Sequence, residues 1–327
     1  MSINATAERA VEFLLAHGTL PILFWMKKDI LHVPAERENR NLEKYGARVR
    51  ILESQSPDGS WTANKKDQRS ADGPEDQQAE TVRNMGRLYD FGCTLEQEEV
   101  RRGISFLFST QKREGDFRGR PGGEYSPVFH ALALEQICRF GLDDDPRVQK
   151  GFHWVVKCRQ NDGGWAIPLR TISEQKLKTR LRSANGSRGL PLQPDKNQPC
   201  SHLVTGLMLR ALAESPRWRS SPAARQAGEL LVNRFFKDDS YDDRRSCRYW
   251  EEMIYPFWAT NILSALDALS KIGFVSNQGK IPRALGWLLK RQHPEGYWES
   301  AEPKASWEDH LWVTLAVLRV LKRFKLT

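Results

Sequence analysis

The stretch that decides the fold is Gln55-Ser-Pro-Asp58-Gly59-Ser-Trp61, because it returns along the chain. It recurs as Gln111-Lys-Arg-Glu114-Gly115-Asp-Phe117, as Gln160-Asn-Asp162-Gly163-Gly-Trp165 and as Gln292-His-Pro-Glu295-Gly296-Tyr-Trp298. In the third copy Gln160 sits one residue closer to the acid. A degenerate copy, Phe236-Lys-Asp238-Asp239-Ser-Tyr241, falls in the long gap before the last. Self-similarity at such spacing is the mark of a repeat architecture. The turn chemistry is coherent. Glycine supplies a positive φ after a helix, the acid bonds nearby backbone N–H groups, and the Gln amide can tie the helix end to another element.

Each copy lies between two helical patterns. Before it run amphipathic stretches at 42–54, 95–110, 146–159, 222–236 and 282–291. After it run more apolar ones at 78–91, 126–140, 200–213, 255–272 and 307–324. Their apolar spacing is helical, as in Leu203, Leu207 and Leu212. Strand signals are nearly absent. The unit is helix, Gly-turn, helix, and further helices at 5–17 and 21–31 are placed to close the structure.

The repeated Gln-x-x-Asp-Gly-x-Trp turns resemble the QW motifs of the squalene-hopene cyclase family. They are also similar to the Gly-aromatic repeats of protein prenyltransferase β subunits. The resemblance covers about residues 42–325. It implies an all-α fold: an α/α toroid of about five to six inner and outer helix pairs around a central cavity. It makes 1–327 a single domain, with closing helices in 1–40 and a basic loop insertion at 168–198.

Composition narrows the partners. The 327 residues carry 50 Lys and Arg against 41 Asp and Glu, a net charge of +9. This excess suits an anionic partner: nucleic acid, a membrane surface or a phosphorylated small molecule. No nucleic-acid-binding signature accompanies it, and the charge is spread among Glu-rich helices, so nucleic acid is excluded. No run of about 18 apolar residues is present, which excludes a membrane-spanning helix. The stretch from Leu20 to Met26, followed by Lys27-Lys28, is either an interfacial anchor or a helix buried against the outer ring. No secretory signal is visible, and five scattered cysteines fit a reducing cytoplasm. A cytoplasmic protein, with peripheral contact at the inner membrane face as an option, is expected.

In a toroid the more apolar helix of each unit is the inner one. Alignment of the inner helices places Thr81, His130, Thr205, Ala259 and Thr314 at one level. Their N-terminal ends would share a rim, and converging helix N-termini favour anions. The insertion carries Arg170, Lys176, Lys178, Arg180, Arg182 and Arg188. It reads either as a mobile clamp for a diphosphate at that rim, with Arg170, Arg180 and Arg182 binding it, or as a solvated basic loop. Phe129, His130, Tyr255, Trp258 and Trp312 are expected to line the cavity. There aromatic faces would bind an isoprenoid or steady carbocations, unless they are simply core.

The resemblance also sets tests of chemistry. Class II cyclases carry an Asp-x-Asp-Asp-Thr-Ala acid motif, and this chain has none. Its nearest equivalents are Trp307-Glu308-Asp309-His310 and Gln78-Ala-Glu80-Thr81. Asp309, oriented by His310, is the first choice for a general acid, and Glu80 the reserve. Class I enzymes hold Mg²⁺ with Asp-Asp-x-x-Asp; Asp238, Asp239 and Asp242 match the string, but on a turn and without its partner motif. Prenyltransferases bind zinc through Asp, Cys and His. Cys200 and His310 lie two units apart, although Asp195, Cys200, His202, Asp309 and His310 could converge in an unfamiliar site. No cofactor is otherwise expected, and Mg²⁺ would enter with a diphosphate substrate.

These readings lead to a terpene-cyclase-like protein acting on a prenyl diphosphate or polyprene in an aromatic cavity. The alternatives are a non-catalytic lipid- or peptide-binding toroid and a prenyltransferase β-like subunit. Whether it is an enzyme, and its oligomeric state, stay open at this level.

Overall fold

The computed structural model describes residues 3–62, 74–118, 124–183, 191–241 and 246–326, without the side chains of 3, 74–76 and 180–183. Every described regular element is helical. The inner helices are α5 (Pro74–Asp90), α7 (Pro127–Arg139), α10 (His202–Glu214), α12 (Ile262–Lys271) and α14 (Trp307–Arg323). Each packs on the next in that order. The outer helices are α4 (Gly46–Glu53), α6 (Glu98–Thr110), α8 (Pro146–Lys157), α11 (Pro222–Arg234) and α13 (Ile281–Leu289). Each packs on the inner helix of its own unit or of the unit before it.

The two sets differ because their apolar residues do. In α6 the buried residues are Val100, Gly103, Ile104, Leu107 and Phe108, one stripe at helical spacing. In α10 burial is unbroken from Val204 to Ala213. A helix apolar on all sides has to lie inside. Serine caps start three of the inner helices: Ser126 accepts from Phe129 N–H, Ser201 from Val204 N–H and Ser306 from Asp309 N–H.

The repeated turn is the joint between units. The Gln55 amide donates to Gly59 O at 2.9 Å and to Glu99 O, at the start of the next outer helix, at 2.8 Å. Gln111 repeats this on Gly115 O and Arg147 O, both within 2.9 Å. The indoles of Trp61, Trp165 and Trp298 each donate to a carbonyl ten residues earlier, at 2.7–2.8 Å. Gly115 has φ 103°, and a Cβ there would meet Lys150 O at 2.6 Å, so only glycine lets the next unit come this close.

The level read from sequence is real, and its role is structural. Thr81, Thr205 and Thr314 hydroxyls accept the backbone N–H of Trp61, Trp165 and Trp298 at 3.0–3.1 Å. His130 Nδ1 does the same for Phe117 N–H at 3.0 Å. The fourth unit breaks the pattern. Its inner helix begins only at Ile262, not near 255, and Thr260 rather than Ala259 makes a contact, donating to Leu203 O at 2.7 Å.

The ring closes on α1 (Ile3–His17) and α2 (Leu20–Trp25). In the last turn Gln292 donates to Gly296 O and to Thr6 O, at 2.9 and 2.8 Å. Thus α1 stands where the next outer helix would stand. Pro21, Ile22, Phe24, Trp25 and Met26 are buried, so this stretch is a core segment and not an interfacial anchor. One other expectation changes. The segment 168–198 contains a short helical turn at Pro168–Arg170 and the helix α9 (Glu174–Ser183), not loop alone. Among the described residues no helix is long and apolar enough to cross a membrane.

Candidate functional site

The central cavity, about 240 Å³, opens among the C-terminal ends of the inner helices, not at their N-terminal rim. Four inner helices turn a pair of charged residues four apart towards it: Glu135 and Arg139, Arg210 and Glu214, Asp267 and Lys271, Arg319 and Arg323. An i,i+4 spacing places both members on one helix face. With Lys28 and Asp29, this gives ten charged side chains in the wall, six cationic and four acidic. Basic residues at helix C-termini are favourable against the macrodipole.

Ion pairs fill this wall. Arg210 pairs with Glu135, both 5% exposed, and also donates to Phe257 O. Arg139 reaches Asp90 at 2.6 Å, and Tyr255 OH donates to the same carboxylate at 2.9 Å. Lys271 bridges Glu214 at 2.6 Å and Asp267 at 2.8 Å, and Arg323 adds to Asp267. Burial opposes the charge on Asp267, but Lys271 and Arg323 hold its carboxyl well below the usual range. Burial likewise opposes Arg139, and Asp90 more than offsets it. Glu135 goes the other way: burial pushes its carboxyl up despite Arg210. Glu135 Oε2 and Arg210 Nε have no hydrogen-bond partner among the described residues.

Two further spaces adjoin the chamber. A basic mouth of about 290 Å³ is lined by Lys28, Asp29, His32, Arg319, Lys322 and Arg323. A side cavity of about 320 Å³ lies between α2 and the end of α5. Lys28 lines all three. It stands on a π-helical segment, Met26–Leu31, that continues α2. Such wide turns recur at functional sites. Lys28 Nζ lies 5.0 Å from the Trp25 ring centroid and makes no ion pair with a described carboxylate.

The residues named from sequence are scattered. Tyr255 and Trp258 line the chamber. Phe129 and Trp312 are buried outside its wall, with Trp312 stacked on Tyr255 at 5.3 Å. His130 is a buried turn anchor, and burial lowers its pKa to about 3. Asp309 closes a capping box: its carboxylate accepts from Ser306 N at 2.6 Å and Oγ at 2.7 Å. His310 Nδ1 accepts from Ser300 N at 2.8 Å instead of orienting Asp309. Glu80 holds Arg83 and Asn84, both at 3.1 Å. None of these three reaches the chamber.

The basic segment takes the opposite end of the ring. Leu192 N–H donates to Glu124 and Gln193 to Tyr125 OH, just before α7, at 2.6 and 3.1 Å. Arg170 is exposed there, and the side chains of Arg180 and Arg182 lie outside the described residues. Asp239 serves α10, accepting His202 N–H at 2.7 Å, while Asp238 is exposed and Asp242 lies outside the described residues. Cys200 N–H donates to Asp162 at 2.8 Å, and burial pushes the Cys200 thiol up to about 12. Among the described residues no three His, Cys, Asp or Glu side chains gather to hold a metal, so the set of Asp195, Cys200, His202, Asp309 and His310 does not converge.

The turns, the closed ring and the parallel inner helices match one known family in sequence as well. Residues 26–189 match the squalene-hopene cyclase C-terminal domain. The chain belongs to that family. A probable squalene-hopene cyclase of Sinorhizobium fredii is 28% identical over 154 residues, which make up 44% of this chain. The match spans only 23% of that protein's length. Among solved structures, the type II terpene cyclase MstE of Scytonema aligns over 88% of this chain and 99% of its own, at 15% identity and a TM-score of 0.30. A variant of it holding geranylgeranyl dihydroxybenzoate, its substrate, gives 16% and 0.32. A protein from Actinoplanes gives 15% and 0.33.

Sequence reasoning missed the charged wall altogether. The signal was present as charged pairs four apart, interrupting four otherwise apolar helices near their ends. A helix apolar on all other sides has no solvated face on which to put such a pair.

Proposed function

We propose that this toroid holds the anionic end of an amphipathic isoprenoid, of the prenyl diphosphate class, at its basic mouth. The family suggests the isoprenoid, and the mouth suggests the charge. The observation that carries the reading is Lys28, a cation without a carboxylate partner among the described residues, at the point where three spaces meet. A charged group entering there finds Lys28, Arg319, Lys322 and Arg323 against the single carboxylate of Asp29. Mg²⁺ would arrive with the diphosphate.

The same wall speaks against a polyprene moulded in the chamber. Hydrocarbon beside ten charged side chains leaves them desolvated with nothing in return. It also speaks against a start by protonation. Asp267 is held ionised, and the Glu135 carboxyl is committed to the buried Arg210 guanidinium.

Calorimetry with farnesyl diphosphate, farnesol and squalene, with and without Mg²⁺, tests this, with mass spectrometry of each mixture. Farnesyl diphosphate is expected to bind at least tenfold more tightly than farnesol. Lys28→Gln should remove about tenfold, the scale of one charged hydrogen bond. Equal affinity for squalene, or a cyclised product, would overturn the proposal.

A further inference from the structure

The side cavity holds about 320 Å³. Its walls carry six apolar side chains, Phe24, Trp25, Val33, Ala35, Tyr89 and Cys93, with the exposed Glu36, Asn39 and Thr94 beside them. Cys93 is 3% exposed, and burial pushes its thiol up to about 11. Trp25 and Tyr89 stack with centroids 5.2 Å apart and line both this cavity and the chamber. They form the partition, and Lys28 stands at its edge.

The partition is held in place from several sides. Trp25 Nε1 donates to Asp90 O at 2.7 Å. The Arg139 guanidinium lies 4.1 Å from the Tyr89 ring centroid, and that of Arg319 lies 5.1 Å from the Trp25 centroid. One face of the partition therefore meets paired charge, and the other meets Phe24, Val33, Ala35 and Cys93.

From this arrangement we infer that the side cavity between α2 and the end of α5 is the hydrocarbon-tail subsite of the ligand whose charged end sits at Lys28. This inference rests on the proposed function. The tail goes to the side because the chamber is ionic, and because Lys28 lets one ligand touch both spaces. Burying each methylene is worth about fourfold in affinity. Affinity should therefore climb with chain length until the cavity is full, and then level off.

The test compares inorganic diphosphate with dimethylallyl, geranyl and farnesyl diphosphates by calorimetry. It uses the full chain and two cavity-filling variants. Val33→Trp and Ala35→Phe both act from loop positions outside the helices, at a half-exposed and a half-buried residue. In the parent chain, farnesyl diphosphate is expected to bind at least tenfold more tightly than inorganic diphosphate. Both variants should lose that gain and keep their affinity for inorganic diphosphate. A chain-length gain that survives in both folded variants places the tail elsewhere and overturns the inference, while the reading of Lys28 stands. If no diphosphate binds the parent chain at all, both fail together.

Discussion

His130 stands where three other units carry a threonine, and it does a threonine's work by accepting Phe117 N–H. The difference is that it can be protonated. Burial lowers its pKa to about 3, against an ordinary 6.5. The unfolded chain binds this proton more readily, so the histidine costs nothing above pH 6.5. Below it, stability is lost progressively as pH falls towards 3. At pH 5 the loss is about 2 kcal/mol. Thermal melts of His130→Thr should show a lower Tm at pH 7, because ring contacts with Trp154 and Phe117 are lost. Its further drop on going to pH 5 should be smaller than that of the parent chain. An equal drop would show that other groups carry the acid sensitivity. The level of this residue was legible in sequence from helix alignment alone. Its task was not, since the Phe117 backbone N–H that it serves lies in another element.

At the scale of elements, the turn is a clasp between neighbours, so damage there should spread sideways. Gly115→Ala forces a Cβ against Lys150 O and onto a φ of 103°. We expect a loss of about 2–4 kcal/mol from backbone strain and overpacking together. Hydrogen exchange should then rise in α8 as well as in α6. Gly296→Ala makes the same collision with Arg9 O, at 2.7 Å, in α1. It should raise exchange in α1 and leave α8 protected; uniform loosening by both variants would contradict the joint-by-joint picture. The turns were readable because their chemistry is local: a Gln, an acid, a Gly and an aromatic within seven residues. That the final turn would grip Thr6 and Arg9 was not, because it depends on how many units complete the circle.

At the scale of the molecule, the ring places like ends of its inner helices together, and their charged pairs become one network. Glu135→Gln leaves the Arg210 guanidinium buried without its counter-charge, and a cost of about 3–5 kcal/mol is expected in denaturant unfolding. Glu135→Leu combined with Arg210→Met should recover most of that, because well-packed apolar replacements spare both desolvation penalties. If the double variant is no better than the single one, the pair has worth beyond its own charge. The fold could be read from sequence because repetition announces itself. The site could not, because its charges lie one or two per helix, and only ring closure brings them to a common centre. Asp309 and His310 drew attention by position at a helix start, where capping had already claimed the carboxylate.

A wall built of linked ion pairs responds to heat differently from one built of hydrocarbon. Hydration of charges becomes less favourable as temperature rises, so the penalty for keeping them from water shrinks while apolar cohesion levels off. The chain Arg323–Asp267–Lys271–Glu214 is therefore expected to cost the hub less on warming than the apolar joints around it lose.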